Sequence, residues 1–263
     1  MIEFKNVTKS FNDDVVLKNI SFTITRGETK IILGASGSGK STILRLILGL
    51  IHPDSGEILI EGQDITRMPE RELVQVRHKI GMVFQEGALF DSLSVRENVG
   101  YRLYEESTMN EEEIEFAVRR LLGFVGLEDA IDKMPAELSG GMKRRVGIAR
   151  ALVGTPQIVL YDEPTAGLDP VISRTIIELI IKLRDLEGVT SVCVTHDLRA
   201  VGIIASEYIA MHPNGTVKIQ RGGEKLCLLN VKCVMLYDGE IHFEGSFEEL
   251  KACPDPYIQE FVT

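Results

Sequence analysis

The chain has 263 residues, of which 44% are hydrophobic and 26% charged, a composition ordinary for a folded globular protein. Its 29 Lys and Arg against 39 Asp and Glu give a net charge of −10, which argues against general binding to nucleic acid or anionic lipid, since basic surfaces bind both. No apolar run reaches the ~18 residues of a membrane span, the N-terminus lacks a secretory-signal pattern, and four cysteines without C-x-x-C spacing predict free thiols rather than zinc ligands or disulfides.

Apolar patterning predicts the secondary structure in chain order. Short strands are predicted over six segments: 2–7, 17–24, 29–33, 80–84, 158–161 and 189–194. A glycine-rich turn after the third strand leads into an apolar helix over 40–50. Because strands alternate with helices, we expect an α/β fold with a mainly parallel sheet covered by helices.

The segment 92–138 contains helical patterns only. Ser94 with Glu97, and Asn110 with Glu113, have the spacing of capping boxes, in which each side chain bonds the other residue's backbone N–H. This pattern predicts a helical subdomain inserted into the α/β core.

The C-terminal part contains two hairpin signals, because tight primed turns require the positive φ that Asn-Gly and Asp-Gly adopt readily. Asn214-Gly215 predicts a hairpin over 208–220, and Asp238-Gly239 predicts a second over 231–244. Upstream, Asp169 before Pro170 predicts a helix start, and Ser246 with Glu249 predicts a short final helix.

A phosphate-binding loop is predicted after the third strand. The pattern G-x-x-x-x-G-K-[ST] is matched by Gly34, Ala35, Ser36, Gly37, Ser38, Gly39, Lys40 and Ser41, with Thr42 following. Its glycines let backbone N–H groups surround phosphate oxygens, and the next helix directs its positive end at them. Lys40 can bridge the β- and γ-phosphates, while the Ser41 hydroxyl can ligate Mg²⁺. The alternative is a surface turn, but the flanking strand and helix favour the phosphate site.

Two carboxylates, Asp162 and Glu163, end an apolar strand, where open α/β sheets form their ligand crevice. Asp162 is suited to hold Mg²⁺ through water, and Glu163 could polarise a water for attack on the γ-phosphate. The alternative is a solvated pair before the turn at Pro164.

The run 138–142, Leu-Ser-Gly-Gly-Met, precedes a predicted helix and exposes unpaired amides beside a hydroxyl. Alone, it is typical of a flexible helix start. A second anion site is superfluous if the first loop holds the phosphates, unless two chains share each nucleotide.

In this order, the motifs resemble those of the nucleotide-binding subunit of an ATP-binding cassette (ABC) transporter, over about 1–211 and again from about 236. The resemblance implies a P-loop NTPase, RecA-like core with an N-terminal antiparallel β-subdomain and an inserted helical subdomain. The implied limits are 1–263 for the single domain, 1–91 and 155–263 for the core with the β-subdomain, 92–154 for the helical subdomain and 212–235 for an extra hairpin that the family lacks.

The resemblance also implies roles. Phe11 would stack on adenine, Gln85 would lie in the Q-loop, Asp169 in the D-loop, and His196 would contact the γ-phosphate. Glu163 would be the general base, with Gln85 and His196 also catalytic, and Mg²⁺ would be held by Ser41, Gln85 and Asp162. Two copies would close head to tail on two ATP molecules, so that Ser139, Gly140 and Gly141 of each chain face the ATP on the other.

Three segments are similar to the ATPases of maintenance-of-lipid-asymmetry and mammalian-cell-entry (Mce) type lipid transporters: 87–99, 142–145 and 255–261. The implied partners are an integral membrane permease, a periplasmic Mce-domain lipid-binding protein and a small STAS-domain protein, at the cytoplasmic face of the inner membrane. The permease's coupling helix would lie in the groove that 87–99 borders.

Alternatives remain open at this point. The chain could power an importer of amino acids or other small solutes, act as a non-transport ABC ATPase, or switch assembly without hydrolysis. Small-molecule kinases share the phosphate loop but lack the 138–142 element. The basic run 143–145 is interpreted as a solvated helix face rather than a nucleic-acid contact, given the acidic net charge.

Overall fold

The computed structural model describes residues 1–211, 217–222 and 230–262. The strands of this part are β1 (Ile2–Phe11), β2 (Asp14–Ile24), β3 (Thr29–Leu33), β4 (Ser55–Ile60), β5 (Gln63–Asp64), β6 (Ile80–Val83), β7 (Ile158–Asp162), β8 (Thr190–Val194), β9 (Glu207–Met211), β10 (Val217–Arg221), β11 (Val231–Tyr237) and β12 (Glu240–Gly245). The helices are α1 (Lys40–Ile47), α2 (Glu70–Arg77), α3 (Val95–Glu106), α4 (Glu111–Phe124), α5 (Gly140–Ala151), α6 (Pro170–Glu187), α7 (Leu198–Ser206), α8 (Phe247–Ala252) and α9 (Pro256–Val262).

A six-stranded sheet in the order β12-β11-β3-β8-β7-β6 forms the centre. All its neighbouring strands are parallel except the β11–β12 hairpin. Strands β3 and β8 are buried along their whole length, as expected where helices cover both faces of a parallel sheet. The predicted mainly parallel α/β sheet is confirmed.

An antiparallel sheet in the order β2-β1-β4-β5 forms the N-terminal subdomain. Its inner face is apolar, and the rings of Phe4 and Phe22 stack with centroids 4.6 Å apart. The apolar side chains of this subdomain form one buried cluster with those of α1 and of one face of the central sheet. The predicted antiparallel β-subdomain is confirmed.

Helices α3, α4 and α5 pack together as the inserted helical region, and their buried side chains join those on the other face of the central sheet. Both predicted capping boxes are present, at Ser94–Glu97 and at Asn110–Glu113. The solvated-face interpretation of 143–145 is wrong for Arg144. That side chain is only 5% exposed, because it lies on the face of α5 that packs on the segment after β7.

Two hairpins follow α7. Strands β9 and β10 pair in a separate antiparallel sheet, whereas β11 joins the central sheet beside β3. The limits 212–235 expected for the extra hairpin include β10 and part of β11 but leave out β9, the strand that β10 pairs with. The turn Asn214-Gly215 lies outside the described residues. Asp238 and Gly239 both have the positive φ that their turn requires.

None of the helices in the described ranges is both long enough and apolar enough to cross a membrane.

Candidate functional site

The predicted site residues follow the carboxyl ends of neighbouring parallel strands. The phosphate loop follows β3, Glu163 follows β7, His196 follows β8, and Gln85 follows β6. Because these strands lie in the order β3-β8-β7-β6, their ends meet at one edge of the sheet. The fold thus brings residues from four separate parts of the chain together.

The loop between β3 and α1 requires glycine at fixed places. Gly34, Gly37 and Gly39 have φ of 152°, 82° and 97°, which other residues rarely adopt. A Cβ on Gly34 would also lie 2.7 Å from the carbonyl oxygen of Leu236. The result is a turn lined by backbone, followed directly by the N-terminus of α1.

The side chains of Lys40 and Ser38 make this loop suitable for binding an anion. The Lys40 ammonium is mostly buried and donates to the carbonyl oxygens of Gly34 and Ala35, at 2.8 and 2.9 Å. Burial lowers the pKa of Lys40, although the charges of Glu163 and Asp162 oppose that shift. The Ser38 hydroxyl is buried and has no hydrogen-bond partner among the residues that the structure describes. An orphaned hydroxyl and a cation bonded only to carbonyls fit a triphosphate substrate.

The Ser41 hydroxyl donates to Asp162 Oδ1 over 2.9 Å, so the two side chains that would hold Mg²⁺ are adjacent. Burial raises the pKa of Asp162, and the charge of Glu163 adds to that effect, while the Ser41 hydrogen bond lowers it. A divalent cation would relieve this unfavourable burial of negative charge, and hydroxyl and carboxylate oxygens suit Mg²⁺. The third predicted ligand, Gln85, is exposed.

Glu163 has an unusual backbone conformation, and each of its carboxylate oxygens contacts a neighbouring side chain. Its φ is +45°, a strained value for a non-glycine residue, and its N–H donates to Val194 O at 2.9 Å. One carboxylate oxygen lies 2.9 Å from His196 Nδ1, and the other accepts from the Thr195 hydroxyl at 3.2 Å. Since His196 is 62% exposed at its side chain, it can reach a molecule bound outside the chain.

Thr195 was not among the predicted site residues. It is 1% exposed and accepts a hydrogen bond from the Asp197 N–H at 3.0 Å. The only signal for it in the sequence was its position beside His196 at a strand end. Alone, that signal does not show that its hydroxyl reaches Glu163.

The 138–142 element lies at the start of α5. Ser139 caps this helix by accepting from the Met142 N–H, and both Ser139 and Gly140 are exposed. Gly141 is buried against Ile172, which leaves no room for a Cβ. In the described part of the chain, no hydrogen bond joins Ser139 to the phosphate loop, so the fold does not bring this predicted pair together within one chain.

Phe11 and Asp169 lie at the surface. Phe11 is 38% exposed at the end of β1, with the Lys9 ammonium 5.4 Å from its ring centroid. Asp169 caps α6, accepting from the backbone N–H groups of Val171 and Ile172 at 3.0 and 3.1 Å. A flat exposed ring can stack on a base, whereas the Asp169 carboxylate already has structural partners.

Comparisons with known proteins show which family the chain is similar to. The family described as "ABC transporter" matches residues 17–166. The chain is 41% identical to TRIGALACTOSYLDIACYLGLYCEROL 3, chloroplastic, of Arabidopsis thaliana, over 100% of this chain and 73% of that one. It is 36% identical to the intermembrane phospholipid transport system ATP-binding protein MlaF of Escherichia coli (strain K12), over 100% of this chain and 88% of that one.

Among solved structures, the chain is similar to the dimeric post-hydrolysis state of the ATP-binding cassette MJ0796, bound to ADP and Pi. The TM-score is 0.77 at 34% identity, over 94% of this chain and 98% of that one. The similarity to these proteins in sequence and in fold therefore extends over most of the chain's length. The chain belongs to the ABC transporter family, as an ATP-binding and ATP-hydrolysing subunit.

Proposed function

We propose that the chain powers a phospholipid transporter by hydrolysing ATP between two of its copies. The observation that carries the hydrolytic part is Glu163, which is placed beside the phosphate loop with Thr195 and His196 bonded to its two oxygens. The lipid part is supported by the similarity to the phospholipid transport protein MlaF, at 36% identity over the whole chain.

The residues of the loop bind the triphosphate of ATP. Backbone N–H groups of 34–39 and the Lys40 ammonium surround the phosphates, while the Phe11 ring stacks on adenine. Ser41, Gln85 and Asp162 would hold Mg²⁺, which when bound neutralises charge that develops on the phosphates during transfer.

Glu163 then takes a proton from the attacking water at one carboxylate oxygen. General-base assistance contributes about 10²–10⁴ in rate. His196 Nδ1 lies 2.9 Å from Glu163 Oε1, which leaves the other ring nitrogen available to contact the γ-phosphate. Gln85 contacts the water from the end of β6.

We propose that the second anion site belongs to the other copy. Ser139 and Gly140 are exposed and have no hydrogen bond to their own phosphate loop, which supports their binding the ATP of a partner chain. The solved cassette to which the chain is similar is itself a dimer. Asp169 caps α6 and so helps to hold the start of that helix.

The permease is proposed to dock on the groove beside 87–99. Phe90 and Tyr101 are 46% and 43% exposed there, and their ring centroids lie 4.9 Å apart. Exposed aromatic pairs of this kind are common anchors for partner proteins. With a Mce-domain protein and a STAS-domain protein, the complex would lie at the cytoplasmic face of the inner membrane.

The hydrolytic proposal is tested by Glu163→Gln. We expect it to bind ATP as tightly as the natural chain, to lose at least a hundredfold in kcat, and to accumulate as an ATP-bound dimer, because binding and closure do not need the base. Phosphate release and size-exclusion chromatography with ATP measure these effects. Phosphate release at the natural rate would refute the role of Glu163.

The lipid proposal needs a separate measurement. Purifying the tagged chain with its partners from membranes should recover an integral permease together with a Mce-domain protein. Recovery of a permease with a solute-binding protein instead would support a small-solute importer and contradict lipid transport.

A further inference from the structure

Arg144 is a buried cation without an acidic partner. Its side chain is 5% exposed, and among the described residues it forms no ion pair. Its Nε has no hydrogen-bond partner. Burial lowers the pKa of the Arg144 guanidinium, and the charge of Glu86 only partly opposes this. Burying an unpaired charge is costly, so the contacts that it does make require an explanation.

Those contacts all go to one short segment after β7. Nη1 donates to the carbonyl oxygens of Glu163 and Pro164, at 3.3 and 2.6 Å, and Nη2 donates to Ala166 O at 3.2 Å. The guanidinium thus holds three carbonyl groups of 163–166 together. A planar group with several fixed donors is suited to this task, whereas an ammonium is not.

The segment that Arg144 holds includes the strained residue of the site. Glu163 has a φ of +45°, and such a conformation persists only where surrounding contacts over-determine it. The Thr195 and His196 contacts hold the side chain of Glu163, and the Val194 carbonyl holds its N–H. Arg144 is the side chain that holds its carbonyl end.

Arg144 also lies on α5, the helix that Ser139 caps, about one and a half turns after that serine. A shift of that helix therefore moves the guanidinium and the carbonyl groups bound to it. The serine end of α5 and the strained glutamate are thereby connected through one side chain.

We propose that Arg144 is a positioning residue for Glu163, which ties the strained backbone of 163–166 to the helix that carries Ser139. This inference rests on the proposed function. It makes α5 a link between the ATP that a chain contacts on its partner and the general base that acts on the chain's own ATP. Arg144 acts through the backbone carbonyl groups of 163–166 that it binds.

The test compares Arg144→Met with Arg145→Met in the full chain. Arg145 is the matched control because it is the next residue on α5 and also binds two backbone carbonyls, those of Val125 and Gly126 at 3.0 and 3.2 Å. We expect Arg144→Met to lower kcat at least tenfold while KM for ATP changes less than twofold. Arg145→Met should keep kcat within twofold of the natural chain.

Conservative variants keep the comparison decisive if a methionine variant does not fold. Arg144→Lys retains the charge but cannot reach three carbonyl groups at once, so its kcat should fall between those of the natural chain and Arg144→Met. Arg145→Lys should match the natural chain. Combined with Glu163→Gln, Arg144→Met should still give the ATP-bound dimer, because binding and closure are intact.

The inference is overturned if both Arg144 variants keep kcat within twofold, or if Arg144 and Arg145 variants lose activity equally and in proportion to thermal stability. These outcomes differ from a failure of the proposed function. That failure would appear as an inactive natural chain or an active Glu163→Gln variant, whatever Arg144 does.

Discussion

At the scale of single residues, the site depends on how the Glu163 carboxylate is held. The Thr195 hydroxyl accepts from the Asp197 N–H, so its own hydrogen is free to donate to Glu163 Oε2. A hydrogen bond to a charged group contributes about 1.5–3 kcal/mol. Thr195 thus favours one orientation of the Glu163 carboxylate, the group proposed as the general base.

We predict that Thr195→Val lowers kcat by about tenfold or more at nearly unchanged KM for ATP, since the shape is kept and only the hydroxyl is lost. Steady-state phosphate release measures this effect, and Thr195→Ser should restore most of the rate. Thr190→Val is the control, because Thr190 begins β8, the strand that Thr195 follows, is also fully buried and accepts from the Gly27 N–H at 2.9 Å. Equal losses of kcat in the two valine variants would contradict the prediction.

At the scale of elements, Ser139 caps α5 and is also proposed to contact a partner's ATP. Ser139 accepts from the Met142 N–H at 3.3 Å and so caps the helix, while its exposed position leaves it available to a partner's ATP. Capping and partner contact can be separated experimentally, because other serines also cap helices but only Ser139 is proposed to contact a partner's ATP.

Ser139→Ala should lower stability by about 1 kcal/mol, the usual cost of a lost helix cap. In the Glu163→Gln background it should also prevent the ATP-bound dimer, as judged by size-exclusion chromatography. Ser246→Ala removes the cap of α8, where Ser246 accepts from the Glu249 N–H at 3.2 Å, and should leave the dimer intact. A dimer that survives Ser139→Ala would count against head-to-tail closure.

At the scale of the whole molecule, a partly buried ionic cluster joins three parts of the fold. Lys30 on β3 is fully buried, and its ammonium lies 2.9 Å from Glu28 and 2.6 Å from Glu244 on β12. Glu28 also accepts from the Thr25 N–H at 3.0 Å, just after β2. The N-terminal sheet, the central sheet and the last hairpin therefore meet at this cluster.

The cluster predicts a pH-dependent stability. Burial alone would raise the pKa of Glu28, but hydrogen bonds from Thr25 and Lys30 and the Lys30 charge bring it below its ordinary value of 4.5. A lowered pKa means that ionised Glu28 stabilises the fold above pH 4.5, and that this stabilisation is lost as the pH falls through the pKa of the folded state. Glu28→Gln should therefore lower Tm at pH 7, by an amount that shrinks below about pH 4.5.

Thermal unfolding of the natural chain and of Glu28→Gln between pH 7 and pH 4 measures the effect. Glu61→Gln is the control, because Glu61 pairs with the largely exposed Arg26 at 2.7 Å and surface pairs contribute only about 0–1 kcal/mol. A Tm difference for Glu28→Gln that stays constant from pH 7 to pH 4 would show that the charge of Glu28 is not the cause.

Much of the fold and site follows from local sequence. The phosphate loop, the capping boxes at Ser94 and Asn110, and the Asp238-Gly239 turn are specified by neighbouring residues, because each depends on hydrogen bonds or φ values within a few positions. Strand ends that carry Asp162 and His196 are equally visible, since apolar runs stop there. The 138–142 element could be interpreted only together with the other motifs, because alone it is typical of a flexible helix start.

Other features depend on residues that are distant in sequence. Arg144 binds carbonyls about 20 positions away, and Thr195 meets Glu163 at a separation of 32, so both contacts exist only once β7, β8 and α5 have packed. A run of basic residues does not show in the sequence which of its side chains are buried, because burial depends on what packs against each face of the helix. The sequence by itself determined the chemistry of the phosphate loop and the order of its motifs. Only the tertiary structure decided which side chains hold the strained glutamate, since long-range packing sets those distances.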